Sequence, residues 1–148
     1  MKDIYHHLRA SHERQRELIA ALLQSAPRSE ARSALFTSVR RELMAHAAAE
    51  ERFLYAPIMH LDAGLASSRH ALSEHHEIDE LLEELSVSEK SARGWMTKAK
   101  KLGEEVRHHL EEEERKFFQI SGKLLSARQK SLLAKSYDRD YQRLLKIF

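Results

Sequence analysis

The chain has 148 residues, 42% of them hydrophobic, with 4 Gly, 2 Pro and no Cys; this length fits one domain with one core and argues against disorder or a two-domain enzyme. Without cysteine, disulfides, thiolate zinc sites, cysteine-held iron–sulfur clusters and cysteine nucleophiles are excluded, so any metal must be held by nitrogen and oxygen. The formal charge of +2, from 25 basic and 23 acidic residues, gives no electrostatic footprint for nucleic acid or anionic lipid.

The apolar run Ile19 to Leu23 is far short of the roughly 20 residues that span a bilayer, and Met1 to Ala10 holds no signal-peptide core. A cytoplasmic protein with no nucleic-acid and no membrane partner is expected. Leu, Ala and Glu number 21, 18 and 18, whereas Val, Ile and Thr together number 11, which favours an all-α fold. Breakers and caps predict five helices. The first runs from about Lys2 to Gln24, ahead of Pro27; the second from a Ser29 cap to about Tyr55, where Pro57 ends or kinks it. After a loop containing Gly64, Ser67 or Ser68 caps a third helix to about Leu85. Ser88 with Glu89 starts a fourth that reaches Ser121, with Gly122 as its stop signal. Ser126 and Gln129 form a capping-box pair for a last helix to about Leu145. Short connections between long helices predict an antiparallel four-helix bundle in residues 1–122, with residues 123–148 an extra C-terminal helix packing on the same domain.

Each long helix carries an apolar stripe at spacings of 3 or 4. The first reads Ile4, Leu8, His12, Gln15, Ile19, Leu22; the second Leu35, Val39, Leu43, His46, Glu50, Phe53, Pro57. The third reads Leu72, His75, Ile78, Leu82, Leu85, and the fourth Trp95, Ala99, Leu102, Val106, His109, Glu113, Phe117, Ile120. A histidine therefore interrupts every stripe, and a glutamate one turn later interrupts two of them. Shifting the sequence by 63 residues superposes His12 on His75, His46 on His109 and Glu50 on Glu113. Two copies of one helical hairpin, packed about a pseudo-twofold axis, would bring four histidines and two glutamates to one level of the interior.

A lone His-x-x-x-Glu is commonly a solvated helix pair. Two such pairs on buried faces, with no Lys or Arg in the stripes to neutralise them, are best explained by bound cations, because an unpaired buried carboxylate costs several kcal/mol. Imidazole with carboxylate suits iron, manganese or zinc, and bundle interiors commonly hold two metals bridged by carboxylates.

The pattern His12, His46-Ala-Ala-Ala-Glu50, His75, His109-Leu-Glu-Glu-Glu113 resembles the hemerythrin-like (HHE cation-binding) proteins. Leu8 to His12, Glu50 to Tyr55, Glu74 to Glu77 and His109 to Phe118 resemble that family too, so that the likeness spans residues 4 to 120. The resemblance implies a non-haem di-iron site: two iron ions with an oxo or hydroxo bridge, His12 and His46 on one iron, His75 and His109 on the other, and Glu50 and Glu113 bridging. Oxygen-carrying members place a fifth histidine four residues after the third-helix ligand; here Asp79 stands there, with Arg16 at the related position. About one exchangeable position is then left on each metal, unless Asp79 or His76 fills a vacancy.

His76 and His108 point about 100° away from their ligand neighbours, His7 and His70 are off the stripe, and His6 and His60 carry no signal. Glu51 and Glu114 are placed to orient ligand histidines; Tyr55 and Phe118 read as core lids. All histidines lie at or before position 109, so function is expected within residues 1 to 120. Leu132, Leu133, Tyr137, Tyr141 and Leu144 read as a packing or homodimerisation element. The expected function is binding of, and reaction with, oxygen, hydrogen peroxide or nitric oxide in sensing, detoxification or iron handling, with catalase-like peroxide disproportionation as its catalytic form. The alternative is a regulatory or structural bundle completed by zinc or a single iron. Ferritin-like storage lacks its paired Glu-x-x-His motifs, and zincin proteolysis lacks His-Glu-x-x-His.

Overall fold

The computed structural model describes residues 2–148, so Met1, counted into the first domain above, lies outside it. Among the described residues every regular element is helical. Helix α1 (Ile4–Leu23) is capped by Asp3, whose carboxylate accepts the His6 backbone N–H at 3.0 Å. Helix α2 (Glu30–Glu50) is capped by Ser29, whose Oγ accepts the Arg32 N–H at 3.1 Å. The rod does not stop at Tyr55: a π turn (Glu51–Tyr55) leads into α3 (Ala56–Met59), which holds Pro57 in its first turn, where a missing N–H costs least.

Helix α4 (Asp62–Val87) begins before the expected Ser67 or Ser68. Gly64 is inside it rather than in a loop, and a Cβ there would meet the Ile58 carbonyl oxygen at 2.6 Å; glycine alone lets α3 and α4 approach this closely. Ser68 is buried, and its Oγ donates to the Gly64 carbonyl at 2.8 Å instead of capping. Helix α5 (Trp95–Glu112) starts not at Ser88 but after Gly94, whose φ of 95° turns the chain into the helix. The Trp95 indole N–H donates to the Leu85 carbonyl at 3.1 Å and pins this corner. A second π turn (Glu113–Phe117) joins α5 to α6 (Phe118–Leu124), which passes through Gly122 rather than stopping there. Helix α7 (Ala127–Ile147) begins with the predicted capping box of Ser126 and Gln129.

α1 packs on α2, α4 on α5, and α7 lies along α1 and α2. The two π turns correct the predicted stripes. An inserted residue rotates everything beyond it by about 100°, so Leu54, Tyr55 and Ile58 are buried where Phe53 and Pro57 were expected. Likewise Phe118 and Ser121 join Phe117 inside, while Ile120 is 36% exposed. The interior falls into two apolar clusters, one built around Leu22, Val39, Leu85, Trp95 and Leu102, the other around Ile4, Leu8, Leu54, Phe117 and Tyr137. The polar stripe residues lie between them along each helix.

Candidate metal centre

His12, His46, Glu50, His75, His109 and Glu113 are all buried, each 5% exposed or less. Their donor atoms form two groups of four that share both carboxylates: His12, His46, Glu50 and Glu113, and Glu50, His75, His109 and Glu113. Within the first group, His12 Nε2 lies 3.2 Å from Glu113 Oε1 and His46 Nε2 lies 3.3 Å from Glu50 Oε1. Within the second, His75 Nε2 lies 3.3 Å from Glu50 Oε1, His109 Nε2 lies 3.6 Å from Glu113 Oε2, and the two Nε2 atoms are 3.0 Å apart. All four imidazoles thus turn Nε2 inward.

Each Nδ1 turns outward to a partner. His75 Nδ1 donates to Glu51 at 2.8 Å and His109 Nδ1 to Glu74 at 2.8 Å, while His12 Nδ1 lies 3.4 Å from Glu114. His46 Nδ1 lies 2.9 Å from the Tyr137 hydroxyl. The carboxylates on His75 and His109, which can only accept, fix the tautomer that leaves Nε2 with a lone pair for a metal. Glu114 also accepts from Arg16 at 2.6 Å, and His12 with Arg16 holds its carboxyl down at about 2 against the opposing effect of burial.

Burial works against charging His12 and His75, yet the neighbouring carboxylates outweigh it and push them up to about 9 and about 10. Burial likewise opposes ionisation of Glu50, but His46 and His75 hold its carboxyl well below the usual range. Even so, both ring nitrogens of His12, His46 Nε2, Glu50 Oε2 and Glu113 Oε1 are buried without a hydrogen bond. Native interiors leave few polar groups in that condition. Orphaned inward lone pairs beside two carboxylates fit a cation, so the donor set present here suits the metals expected from the sequence.

The residues match the hemerythrin HHE cation binding domain over positions 3–120. The chain belongs to that family. Its fold is similar to the crystal structure of a hemerythrin HHE cation binding domain-containing protein from Mycobacterium kansasii, with a TM-score of 0.89, 20% identity, and coverage of 99% of this chain and 90% of that one. No curated protein matches the sequence.

In this HHE protein the outward roles expected of Glu51 and Glu114 are in place. Asp79 and His76 lie outside both donor groups; His76 is exposed and pairs with Glu80 at 2.8 Å. Three contributors escaped sequence reasoning. Glu74 is adjacent to His75 but serves His109 on another helix. Tyr137 lies beyond residue 120, where function was not expected, and outside the 63-residue repeat. Tyr55 is no mere lid: its hydroxyl is 2.9 Å from Glu50 Oε1 and 3.3 Å from His75 Nε2, and also meets Glu113 Oε2. Burial and then the two carboxylates push its pKa well above the usual value. The π turn that carries it was the missing signal. At the repeat-related position Phe118 stacks on His12, centroids 5.7 Å apart, so at this position the two halves differ by one hydroxyl. No helix among the described residues is long and apolar enough to cross a membrane.

Proposed function

We propose that this chain is a di-iron hemerythrin-like protein, an antiparallel four-helix bundle with α7 as an added helix, that binds and reacts with a small oxidant such as oxygen, hydrogen peroxide or nitric oxide. The observation that carries this reading is the pair of four-donor groups sharing Glu50 and Glu113. His12 and His46 would hold one iron, His75 and His109 the other, with both glutamates bridging. When bound, the irons would supply the redox chemistry toward the small ligand.

The chain's own residues do the rest. Glu51, Glu74, Glu114 and Tyr137 orient the imidazoles. The two apolar clusters keep bulk water from the donors. Tyr55 Oη, held among Glu50, Glu113 and His75, would be a further donor to the ion held by His75 and His109, its phenolic proton released to solvent. At the related position Phe118 offers no donor, so the His12 and His46 side would supply one protein donor fewer and would be the side on which a small ligand could bind. We assign the protein to the cytoplasm, with small molecules rather than nucleic acid or membranes as partners.

Iron quantitation on protein from iron-supplied cells, followed by oxygen evolution on adding peroxide, tests the reading. Two irons per chain, with evolution lost in Glu50→Ala and His109→Ala, support a peroxide-disproportionating enzyme. Two irons with a reversible oxygen adduct support carriage or sensing. One zinc per chain overturns the redox reading in favour of a structural bundle.

A further inference from the structure

His70 on α4 and His108 on α5 are not part of the buried cluster, yet both face the same two carboxylates across the α4/α5 seam. His70 Nε2 lies 3.0 Å from Glu112 Oε1 and 3.5 Å from Glu74 Oε2. His108 Nε2 lies 3.0 Å from Glu112 Oε2 and 3.7 Å from Glu74 Oε2. One donor atom each from His70, Glu74 and Glu112 can serve a single ion. Donors on a tetrahedral cation at about 2.0–2.1 Å are about 3.3 Å from one another, and the imidazole-to-carboxylate spacings of 3.0–3.7 Å bracket that value; His108, outside the group of three, is a flanking donor that reaches it through the second oxygen of Glu112. Exposed ion pairs of this kind gain little by themselves, and neutral imidazole gains less.

Two further observations point inward from this cluster. The other oxygen of Glu74 accepts the Nδ1–H of His109 at 2.8 Å, so one carboxylate belongs to both places. A cavity of about 270 Å³ is lined by His70, Glu74 and Glu112 and also by His109, Glu113 and Phe117. It therefore joins the outer cluster to residues of the buried site, reaching it on the side where Glu113 Oε2 lies 3.6 Å from His109 Nε2. The ammonium on its lining, Lys116, is an exposed side chain.

The arrangement occurs in one half only. Moving back 63 residues replaces Glu74, His108 and Glu112 by Ser11, Ala45 and Ala49, all buried, the two alanines in the apolar cluster that includes Ala134 and Tyr137 of α7. Where α7 seals the wall the donors are absent; where the wall opens they are present.

We propose that His70, His108, Glu74 and Glu112 form an entry site that captures a divalent first-row cation at the cavity mouth and delivers it to His109 and Glu113. The delivery step rests on reading the buried cluster as a metal centre; the capture step does not. Imidazole and carboxylate together suit ferrous iron or zinc, and an anionic mouth raises capture rates by about tenfold or more.

Zinc binding to iron-loaded protein, together with the rate of ferrous uptake by metal-free protein, decides the matter. One additional zinc per chain is expected. It should be lost in His70→Gln/His108→Gln, which removes two ligands but keeps both carboxylates; ferrous uptake by this variant should be slower than the parent's, while its circular dichroism and final iron content stay as in the parent. Retention of that zinc, or unchanged uptake, overturns the proposal. Comparing Glu50→Gln/Glu113→Gln with and without the two histidine changes separates the readings: a difference of one zinc persists if the entry site exists, even should the buried cluster hold no iron.

Discussion

Tyr137 on α7 sets its hydroxyl 2.9 Å from Nδ1 of His46 on α2. The other three inward histidines each face a carboxylate, so His46 alone leans on a neutral phenol. Tyr137 is itself held by stacking on Tyr141 with ring centroids 5.6 Å apart. The Tyr141 hydroxyl lies 2.5 and 2.6 Å from the two Glu42 oxygens, and Ser11 Oγ donates to Glu42 at 2.7 Å. A buried network thus reaches from α7 to a metal-facing imidazole.

Tyr137→Phe keeps the stacked ring and removes only that partner. Affinity for the ion between His12 and His46 is expected to fall by about 10–100-fold, with the ion between His75 and His109 unaffected. Equilibrium competition with a chelator should resolve two classes of ion in the variant. Uniform weakening of both, or of neither, would show that Tyr137 does not orient His46.

Tyr55→Phe reproduces in one half what Phe118 already provides in the other, so the fold has room for it. Iron content should be retained. A phenolate bound to ferric iron absorbs visible light, and that absorption should vanish in the variant. If the iron-loaded parent and variant share the same visible spectrum, Tyr55 does not donate to iron.

The legibility of this fold depended on which signals were local. Helix content, the Ser29 cap and the capping box at Ser126 follow from a few adjacent residues. The six buried donors were legible because a 63-residue repeat placed them in phase with Leu8, Val39, Ile78 and Leu102. The π turns are invisible there: a period of 3.6 cannot register an inserted residue whose cause is tertiary, and so the pattern offers Tyr55 as a core lid rather than as a partner of Glu50 and Glu113. Gly64 resembled a loop residue because its real reason is contact with Ile58. Tyr137 obeys no repeat, and only the packing of α7 on α2 brings it to His46. His70 lies off the stripe and His108 points about 100° from its ligand neighbour, so neither stands out in the sequence; their relation to Glu74 and Glu112 joins two helices and has no signature within either.

Removing metal should expose a pH dependence that loading conceals. His12 and His75 titrate near 6.5 in an unfolded chain but are raised to about 9 and about 10 by the carboxylates that outweigh their burial. The folded metal-free protein then binds protons more tightly than the unfolded chain. The resulting stabilisation is complete below about pH 6.5 and is lost as pH rises through about 9 to 10. The melting temperature of metal-free protein should fall between pH 7 and 10. A metal on Nε2 replaces the proton, so the loaded protein should change less over that range. It should also melt higher at pH 7, by at least about 5 °C, if the ion is present at about 100 times its Kd. Parallel curves for the two forms would mean that protons and metal do not share these nitrogens.

Gly64→Ala tests the close approach of α3 and α4. In an exposed helix this change would stabilise by up to about 1 kcal/mol through propensity. Here the new Cβ would sit 2.2 Å from Ile58 Cγ2 and 2.6 Å from the Ile58 carbonyl oxygen. The methyl can rotate away, but the backbone oxygen cannot, so α3 must shift relative to α4. That strain should outweigh propensity and cost about 1–3 kcal/mol, read as a lower urea midpoint with an unchanged slope. The same displacement would pull on Tyr55, which lies just before α3, and so should disturb the metal-loaded visible spectrum. A variant as stable as the parent would mean that α3 moves freely and that Gly64 is not what fixes this corner.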